Sequence, residues 1–355
     1  MSPRLLAAVA AAVYVLACVF SIGGLTDARP WGDVGNYERY GSSIVEGGVP
    51  YHDFYMEYPP GAIPVFVAPA ARHPHQSSAA YLIRFKVLMT ICGLGALLAA
   101  AAALVRLRAD RLRWLVALTA IRLWRTTGRR GLVEAAVAFC AVGLAAFGYF
   151  AVVAPGGLGF SLYTQIRRHL QTESLGASIL LALDRLGLYH ARIIPGDPGS
   201  IDLGGFVPDA VGIITSLVAL AAVAVVALAY WHGEEDAERF TAAFAASITA
   251  FTAFAKVISP QFLVWLVPLV PLVRGAAGRI GAAILLVALL LTQIENYGFV
   301  HLTIATWAVW LILVRNLLLV ALFALLLREL APALRQRTAA ALHAARAGTE
   351  ARLSA

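Results

Sequence analysis

Residues 211–231 run VGIITSLVALAAVAVVALAYW, and no charged side chain interrupts them. A helix rises about 1.5 Å per residue and the hydrocarbon core of a bilayer is roughly 30 Å thick, so about 20 predominantly apolar residues cross it. The run is continuous in Ala, Leu and Val rather than alternating, which argues against the roughly 10-residue strands of a membrane β-barrel. With its flanks it makes a span at 207–231. Further runs of the same kind lie at 5–25, 84–105, 132–153, 239–257, 260–273, 277–295 and 302–327. The expectation is an all-α polytopic membrane protein of about eight spans, because only internally bonded helices satisfy their backbone in lipid.

Two runs need separate treatment. Residues 260–273 are short and carry Pro260, Pro268 and Pro271, which predicts a tilted, kinked or partly re-entrant segment. The stretch 5–25 is longer than the ~7–15-residue core of a signal peptide and has no A-x-A site after it, so it reads as an uncleaved first span. A lipoprotein signal ending at Cys18 is the alternative. The apolar piece 112–124 is too short to cross and is expected in the interface.

The whole composition agrees. The chain has 355 residues, 60% hydrophobic and only 14% charged, against about 45–50% and about a quarter in soluble domains. The net charge of +8 resides largely in arginines: Arg106 to Arg130, Arg274, Arg279 and the tail from Arg328 to Arg352. All these segments fall on one side if both termini are cytoplasmic, the positive-inside pattern of a multi-pass plasma-membrane protein. That distribution argues against a nucleic-acid partner. Cys18, Cys92 and Cys140 fall in apolar runs, with spacing that suggests neither a metal site nor a disulfide framework. No internal repeat or inverted symmetry of the transporter kind is visible. Residues 1–330 form a single transmembrane domain in this reading, and 331–355 an Ala/Arg-rich cytoplasmic tail with amphipathic potential.

Two long segments remain outside, 26–83 and 154–206, both rich in Gly, Pro, Tyr, Asp and Glu. Such loops on a rigid bundle are where function concentrates. In the first, Val34, Tyr37, Gly41, Ile44 and Val45 recur at helical spacing, Gly47-Gly48 ends the helix, and Tyr58-Pro59-Pro60 forces an extended stretch. Asp33 is then either the N-cap of that helix or a general base for a hydroxyl. Asp53 and Glu57 are expected close to it, or else engaged in loop solvation and local pairing. Tyr37, Tyr51, Tyr55 and Tyr58 serve an interfacial aromatic belt or, with the carboxylates, a sugar site.

In the second loop, Arg167, Arg168 and His169 cluster against the positive-inside trend. They fit a lipid phosphate, anionic headgroups, or a pair between Arg168 and Glu173. Lys256 ends its span beside Ser259 and Gln261, either snorkelling or rimming a polar pocket. Arg315 and Asn316 fall near the middle of the last span, a functional group or an anchor between helices.

The motifs D-V-x2-Y-x2-Y-G at 33–41, GVPYHDFYMEYPPG at 48–61, Q-x-E-S at 171–174 and K-V-x-S-P-Q-x-L-x-W at 256–265 together resemble the actinobacterial α-(1→2)-mannosyltransferase-like family of GT-C membrane glycosyltransferases, over about residues 5–327. The resemblance implies a GT-C-like helix bundle with two structured extracytoplasmic loops. It implies transfer of a sugar, mannose in that family, from a polyprenyl-phosphate donor to a cell-envelope glycolipid or polysaccharide hydroxyl, with inversion. By matched position Asp33 is the base. Tyr37, Tyr51, Asp53, Glu57, Tyr58, Glu173 and Gln261 are expected to bind substrate, and Arg168 and Lys256 the donor phosphate. No cofactor or metal is implied beyond the lipid-linked donor, although paired carboxylates are able to hold a divalent ion weakly. One departure is a compressed 106–131, where the family has an extra hydrophobic stretch. The competing classes are a lipid-linked-sugar flippase and a catalytically inactive scaffold.

Overall fold

The structure is a computed structural model that describes residues 11–12, 14–16, 18–19, 25, 33–71, 77–106, 116–196, 200–233, 236–297 and 306–353. Helices dominate. In chain order they are α1 (Val34–Val45), α2 (Ile63–Ala70), α3 (Ser78–Arg106), α4 (Val116–Val153), α5 (Pro155–Arg167), α6 (Leu175–Arg185), α7 (Phe206–Trp231), α8 (Ala237–Phe254), α9 (Gly275–Tyr297) and α10 (Thr306–Leu353). Short 3₁₀ turns fill Pro60–Ala62, Pro260–Leu266 and Val270–Leu272.

Among the described residues, five helical segments are long and apolar enough to cross a membrane: Ser78–Gly95, Gly128–Val153, Phe206–Trp231, Gly275–Glu295 and Trp307–Leu330. They match the expected runs at 84–105, 132–153, 207–231, 277–295 and 302–327, and the chain is a membrane-embedded helical protein. The other three runs behave differently. The run 5–25 lies largely outside the described residues. The run 239–257 becomes α8, but Glu238, Arg239 and several Thr and Ser lower its apolar character, and it is not among the five. The Pro-rich run 260–273 folds as 3₁₀ turns with Pro at the first positions, because Pro removes a backbone donor and disfavours a regular helix.

The chain divides into two compact units. The first comprises 1–111, 130–168 and 197–199, the second 112–129, 169–196 and 200–355. The helix α4 belongs to both, and Gly128 breaks it with φ 66° and ψ −157°.

The core of the first unit is aromatic: Tyr40, Tyr51, Met56, Phe66, Ala154 and Leu158 are buried, with Tyr37, Phe54 and Tyr58 packed on them. The end of α1 is a full Schellman motif. Gly47 adopts φ 99°, its N–H reaches the Ile44 carbonyl, and the Gly48 N–H reaches that of Ser43. Tyr51 is held at φ 67°, a left-handed conformation that costs a non-glycine residue about 1–3 kcal/mol. Its N–H bonds to the Phe54 carbonyl at 3.0 Å and its hydroxyl donates to the Tyr58 carbonyl at 2.5 Å. The helix α5 packs directly on this strained residue.

The second unit is a bundle of α7 to α10 whose closest surface is the Ala-rich face of α8, including Ala242, Ala243, Ala245, Ala246 and Ala250. Small residues there let helix backbones approach. The helix α6 and a three-stranded antiparallel sheet in the order β1–β3–β2 complete the unit, with β1 Leu170–Gln171, β2 Ile193–Pro195 and β3 Ile201–Leu203. Arginines gather at one end of the bundle. Arg125 donates to the carbonyls of Tyr230 and Gly233, Arg239 to those of Ala229 and Leu330, and Arg274 pairs with Glu238. They satisfy the orphan carbonyls at the end of α7 and favour its negative dipole end.

A methyl group on Gly157 of α5 would fall 1.8 Å from the Tyr51 carbonyl oxygen, whereas one on Gly156 would meet nothing within 4 Å. Gly157→Ala is therefore expected to destabilise the protein by about 1–3 kcal/mol through overpacking. Gly156→Ala is expected to be neutral or slightly stabilising, since Ala outranks Gly inside a helix by roughly 0.5–1 kcal/mol. Thermal unfolding in detergent compares the two directly.

Candidate functional site

Asp33 stands immediately before α1, the N-cap position, and its backbone carbonyl accepts the first helical bonds from Asn36 and Tyr37. Its side chain makes no cap bond. The carboxylate is turned instead towards the aromatic core, where Tyr58 Oη donates to Oδ2 at 3.2 Å. The Tyr37 and Tyr58 hydroxyls are themselves 3.2 Å apart. Of the two readings of Asp33, the residue holds the cap place with its backbone while its carboxylate faces the tyrosines.

The phenols are fixed by ring packing. Tyr37 stacks on Phe66 at 4.8 Å and meets Tyr58 edge-on at 5.4 Å. Burial is the main cause that pushes the Tyr58 hydroxyl far above the usual phenol range, followed by its bond to Tyr37 and by the neighbouring Tyr37, Asp33 and Glu57. Burial likewise raises Tyr37, with Asp33 and Glu57 adding to the shift and the Tyr58 bond opposing it. Both phenols thus stay protonated and remain donors. Glu57 is buried, and its backbone carbonyl accepts from Ser161 and Gln165 of α5, each at 3.2 Å. Asp33, Tyr37, Glu57 and Tyr58 form one electrostatically linked group in the first unit.

Asp53 has a different setting. It is exposed, accepts the Val49 N–H at 2.7 Å and lies 2.7 Å from His52 Nδ1. Those bonds, the backbone one first, hold its carboxyl below the usual carboxylate range. The arginine–histidine cluster at 167–169 resolves residue by residue. Arg167 donates to Tyr163 Oη at 2.8 Å, and His169 pairs with Asp209 at 3.0 Å. Arg168 is half-buried, and its Nε has no hydrogen-bond partner among the described residues.

In the second unit the Q-x-E-S and K-V-x-S-P-Q motifs meet: the Gln171 N–H donates to the Lys256 carbonyl at 3.0 Å. The Lys256 stem is half-buried and passes Gly212 of α7, and Gln261 is exposed at the start of its 3₁₀ turn. Glu173 lies in the interior, 2% exposed, beside Arg315 and Glu295. Arg315 Nη1 donates to Glu295 Oε2 at 2.8 Å, Nη2 to the Glu173 carbonyl at 2.6 Å, and Nε to Asn316 Oδ1 at 3.2 Å. Asn316 Nδ2 adds bonds to the Glu173 carbonyl and to Ser178 Oγ. Arg315 is thus a buried anchor between elements. Glu295 escaped the sequence reading; its one signal was a carboxylate closing an otherwise apolar run.

The anchor yields a stability prediction. Arg315→Leu leaves Glu295 without its cation and the Glu173 carbonyl without its strongest donor, so a loss of roughly 3–5 kcal/mol is expected. Thermal unfolding of the purified variant, beside Arg274→Leu at the exposed pair, checks it; equal losses in the two would remove the anchor role.

Among the described residues no group of three or more His, Cys, Asp or Glu is arranged to hold a metal ion. No protein-family model matches this chain, and no curated protein and no solved structure matches it either.

Proposed function

We propose that the protein is an integral membrane glycosyltransferase that moves a sugar, mannose by resemblance, from a polyprenyl-phosphate donor to a hydroxyl of a cell-envelope glycolipid or polysaccharide. The observation that carries this reading is the Asp33 carboxylate, which leaves its helix cap unmade and accepts from Tyr58 inside an aromatic group. A base must be held within reach of the hydroxyl proton it removes, and a fixed phenol donor sets the direction of its remaining lone pairs. Aromatic faces beside carboxylates suit a sugar, and a strained Tyr51 beneath them is the kind of outlier found near active sites.

Asp33 would act as the general base. Tyr37, Tyr51, Asp53, Glu57, Tyr58 and Gln261 would shape the acceptor and sugar subsites, with Glu173 contributing through its interior anchor. By the resemblance, Arg168, whose Nε has no hydrogen-bond partner among the described residues, and Lys256 would each serve as a cation for the phosphate leaving group, where charge develops in the transition state. In this reading the fold is a GT-C-like bundle of eight spans, counting 5–25, α8 and the 3₁₀ segment 260–273 as the three beyond the five apolar helices. Both termini are cytoplasmic and the site is extracytoplasmic. The arginines at one end of the second unit support that orientation. The flippase reading needs ionisable groups at mid-depth, whereas Arg315 is neutralised by Glu295, about 30 Å along α9 from Gly275.

The test is sugar transfer by purified protein from synthetic polyprenyl-phosphate mannose to a panel of lipid-linked mannosides. Wild type is expected to transfer, and Asp33→Asn to lose about 10²–10⁴-fold in rate with donor binding intact. Equal rates in both proteins would remove Asp33 from the mechanism. Donor binding without transfer to any acceptor would favour the inactive scaffold.

A further inference from the structure

The side chains of Glu173, Glu295 and Arg315 are 3%, 3% and 0% exposed. Two carboxylates therefore face one guanidinium away from bulk solvent. The guanidinium bonds through Nε to Asn316, through Nη2 to the Glu173 carbonyl and to Asn316, and through Nη1 to Glu295. Glu173 Oε2 is 3.8 Å from Nη1, beyond hydrogen-bond distance, and has no hydrogen-bond partner among the described residues. Glu295 Oε1 equally has none among them, while Glu295 Oε2 lies 2.8 Å from the same Nη1. Each carboxylate thus adjoins one guanidinium nitrogen and keeps one oxygen unsatisfied.

Other charged residues of the neighbouring segments include Asp202, Lys256, Asp209 and Asp184. Asp202 of β3 is buried and its backbone pairs in register with Gln171, whose N–H donates to the Lys256 carbonyl. Asp209 at the start of α7 pairs with His169, and Asp184 at the far end of α6 accepts the Ala191 N–H. The charges that act on Glu173 are Glu295 of α9 and Arg315 of α10. With both carboxylates ionised the cluster carries one uncompensated negative charge in a low-dielectric interior, which costs several kcal/mol per buried ion. Two carboxylates sharing such a site do not both ionise.

We infer that Glu173 and Glu295 together form a proton-binding site, holding one proton at neutral pH and making the seat of α6 on α10 dependent on that proton. With one carboxyl protonated, one carboxylate remains for one guanidinium and the cluster becomes neutral. Loss of the proton leaves the excess charge beneath Ser174, whose side chain caps α6 by accepting the Ala177 N–H at 3.3 Å. Removing it therefore works against the docking of the Q-x-E-S segment. The pair titrates as a unit. Burial first, and then the Glu295 charge, push the Glu173 carboxyl up to about 8 against the opposing pull of Arg315. This site stands independently of the chemistry proposed for Asp33.

The sign of the pH dependence follows. The folded state holds a proton that the unfolded state releases above the ordinary carboxylate value of 4.5. Stability is therefore fully present below that value and is lost as pH rises towards about 8. The full-length chain in detergent or nanodiscs is the sample. Infrared difference spectra at neutral pH between wild type and Glu173→Gln, and between wild type and Glu295→Gln, are each expected to show the loss of one protonated-carboxyl C=O band. Either substitution leaves one carboxylate for one guanidinium and removes the need for a proton. The second readout is the folding equilibrium, which in wild type should weaken by up to tenfold per pH unit more steeply than in Glu173→Gln over that window. Asp53→Asn, at an exposed site, should leave both readouts unchanged. A band lost in neither variant, or in only one, overturns the shared proton; so does an unchanged pH slope in Glu173→Gln.

Discussion

Arg315 carries a full charge and five N–H donors, and at 0% exposure none of them reaches water. A chain of polar groups in the interior of the second unit is arranged around that demand. The Glu173 carbonyl, Asn316 and Glu295 take the donors, Ser178 takes the spare amide hydrogen of Asn316, and Ser174 then caps the helix that follows. Removing any member exposes the next one, which is why such a network specifies one seat for α6 where an apolar contact would tolerate several. The residues come from 173–178, 295 and 315–316, so the guanidinium joins three pieces of chain that no run of apolar residues would hold in register.

The opposite end of the same unit solves a related problem with the same residue type. A helix that stops at the membrane surface leaves its last carbonyls without partners. Arg125 and Arg239 supply donors to the carbonyls of Ala229, Tyr230 and Gly233, and Arg239 also reaches Leu330 in α10. These arginines are thus structural ties. At this end Arg125 is exposed, whereas Arg239 is half-buried. At the other end Arg315 is fully buried, and a carboxylate must accompany the charge.

These two ends differ in how visible they were. The runs that became α3, the second part of α4, α7, α9 and α10 announce themselves because length and apolarity act locally. The turn at Gly47-Gly48 was legible for the same reason: a positive φ falls on glycine cheaply. The three-stranded sheet was not foreseen, since strands of two or three residues carry no usable alternation. The Pro-rich run 260–273 signalled irregular structure but not its 3₁₀ form. Arg315 stood out as an expensive residue at depth. Its partner Glu173 lies 142 positions earlier, and no local pattern links the two. The candidate site shows the same division. Tyr37 and Asp33 share the start of one helix and were read together, whereas the Tyr58 hydroxyl reaches Asp33 across 25 positions through a turn strained at Tyr51.

The two carboxylates singled out by this fold have contrasting settings. Asp33 is half-exposed, and the phenol that donates to it stays protonated because burial and the nearby acids hold it so. A donor of that kind fixes the direction of the carboxylate's remaining lone pairs. Glu173 Oε2 has no donor among the described residues, is buried and shares the Arg315 guanidinium with Glu295. That environment favours the acid, the form that keeps a proton. The two settings differ in what each carboxylate meets, a phenolic hydrogen at Asp33 and, at Glu173, a guanidinium already bonded to a second carboxylate.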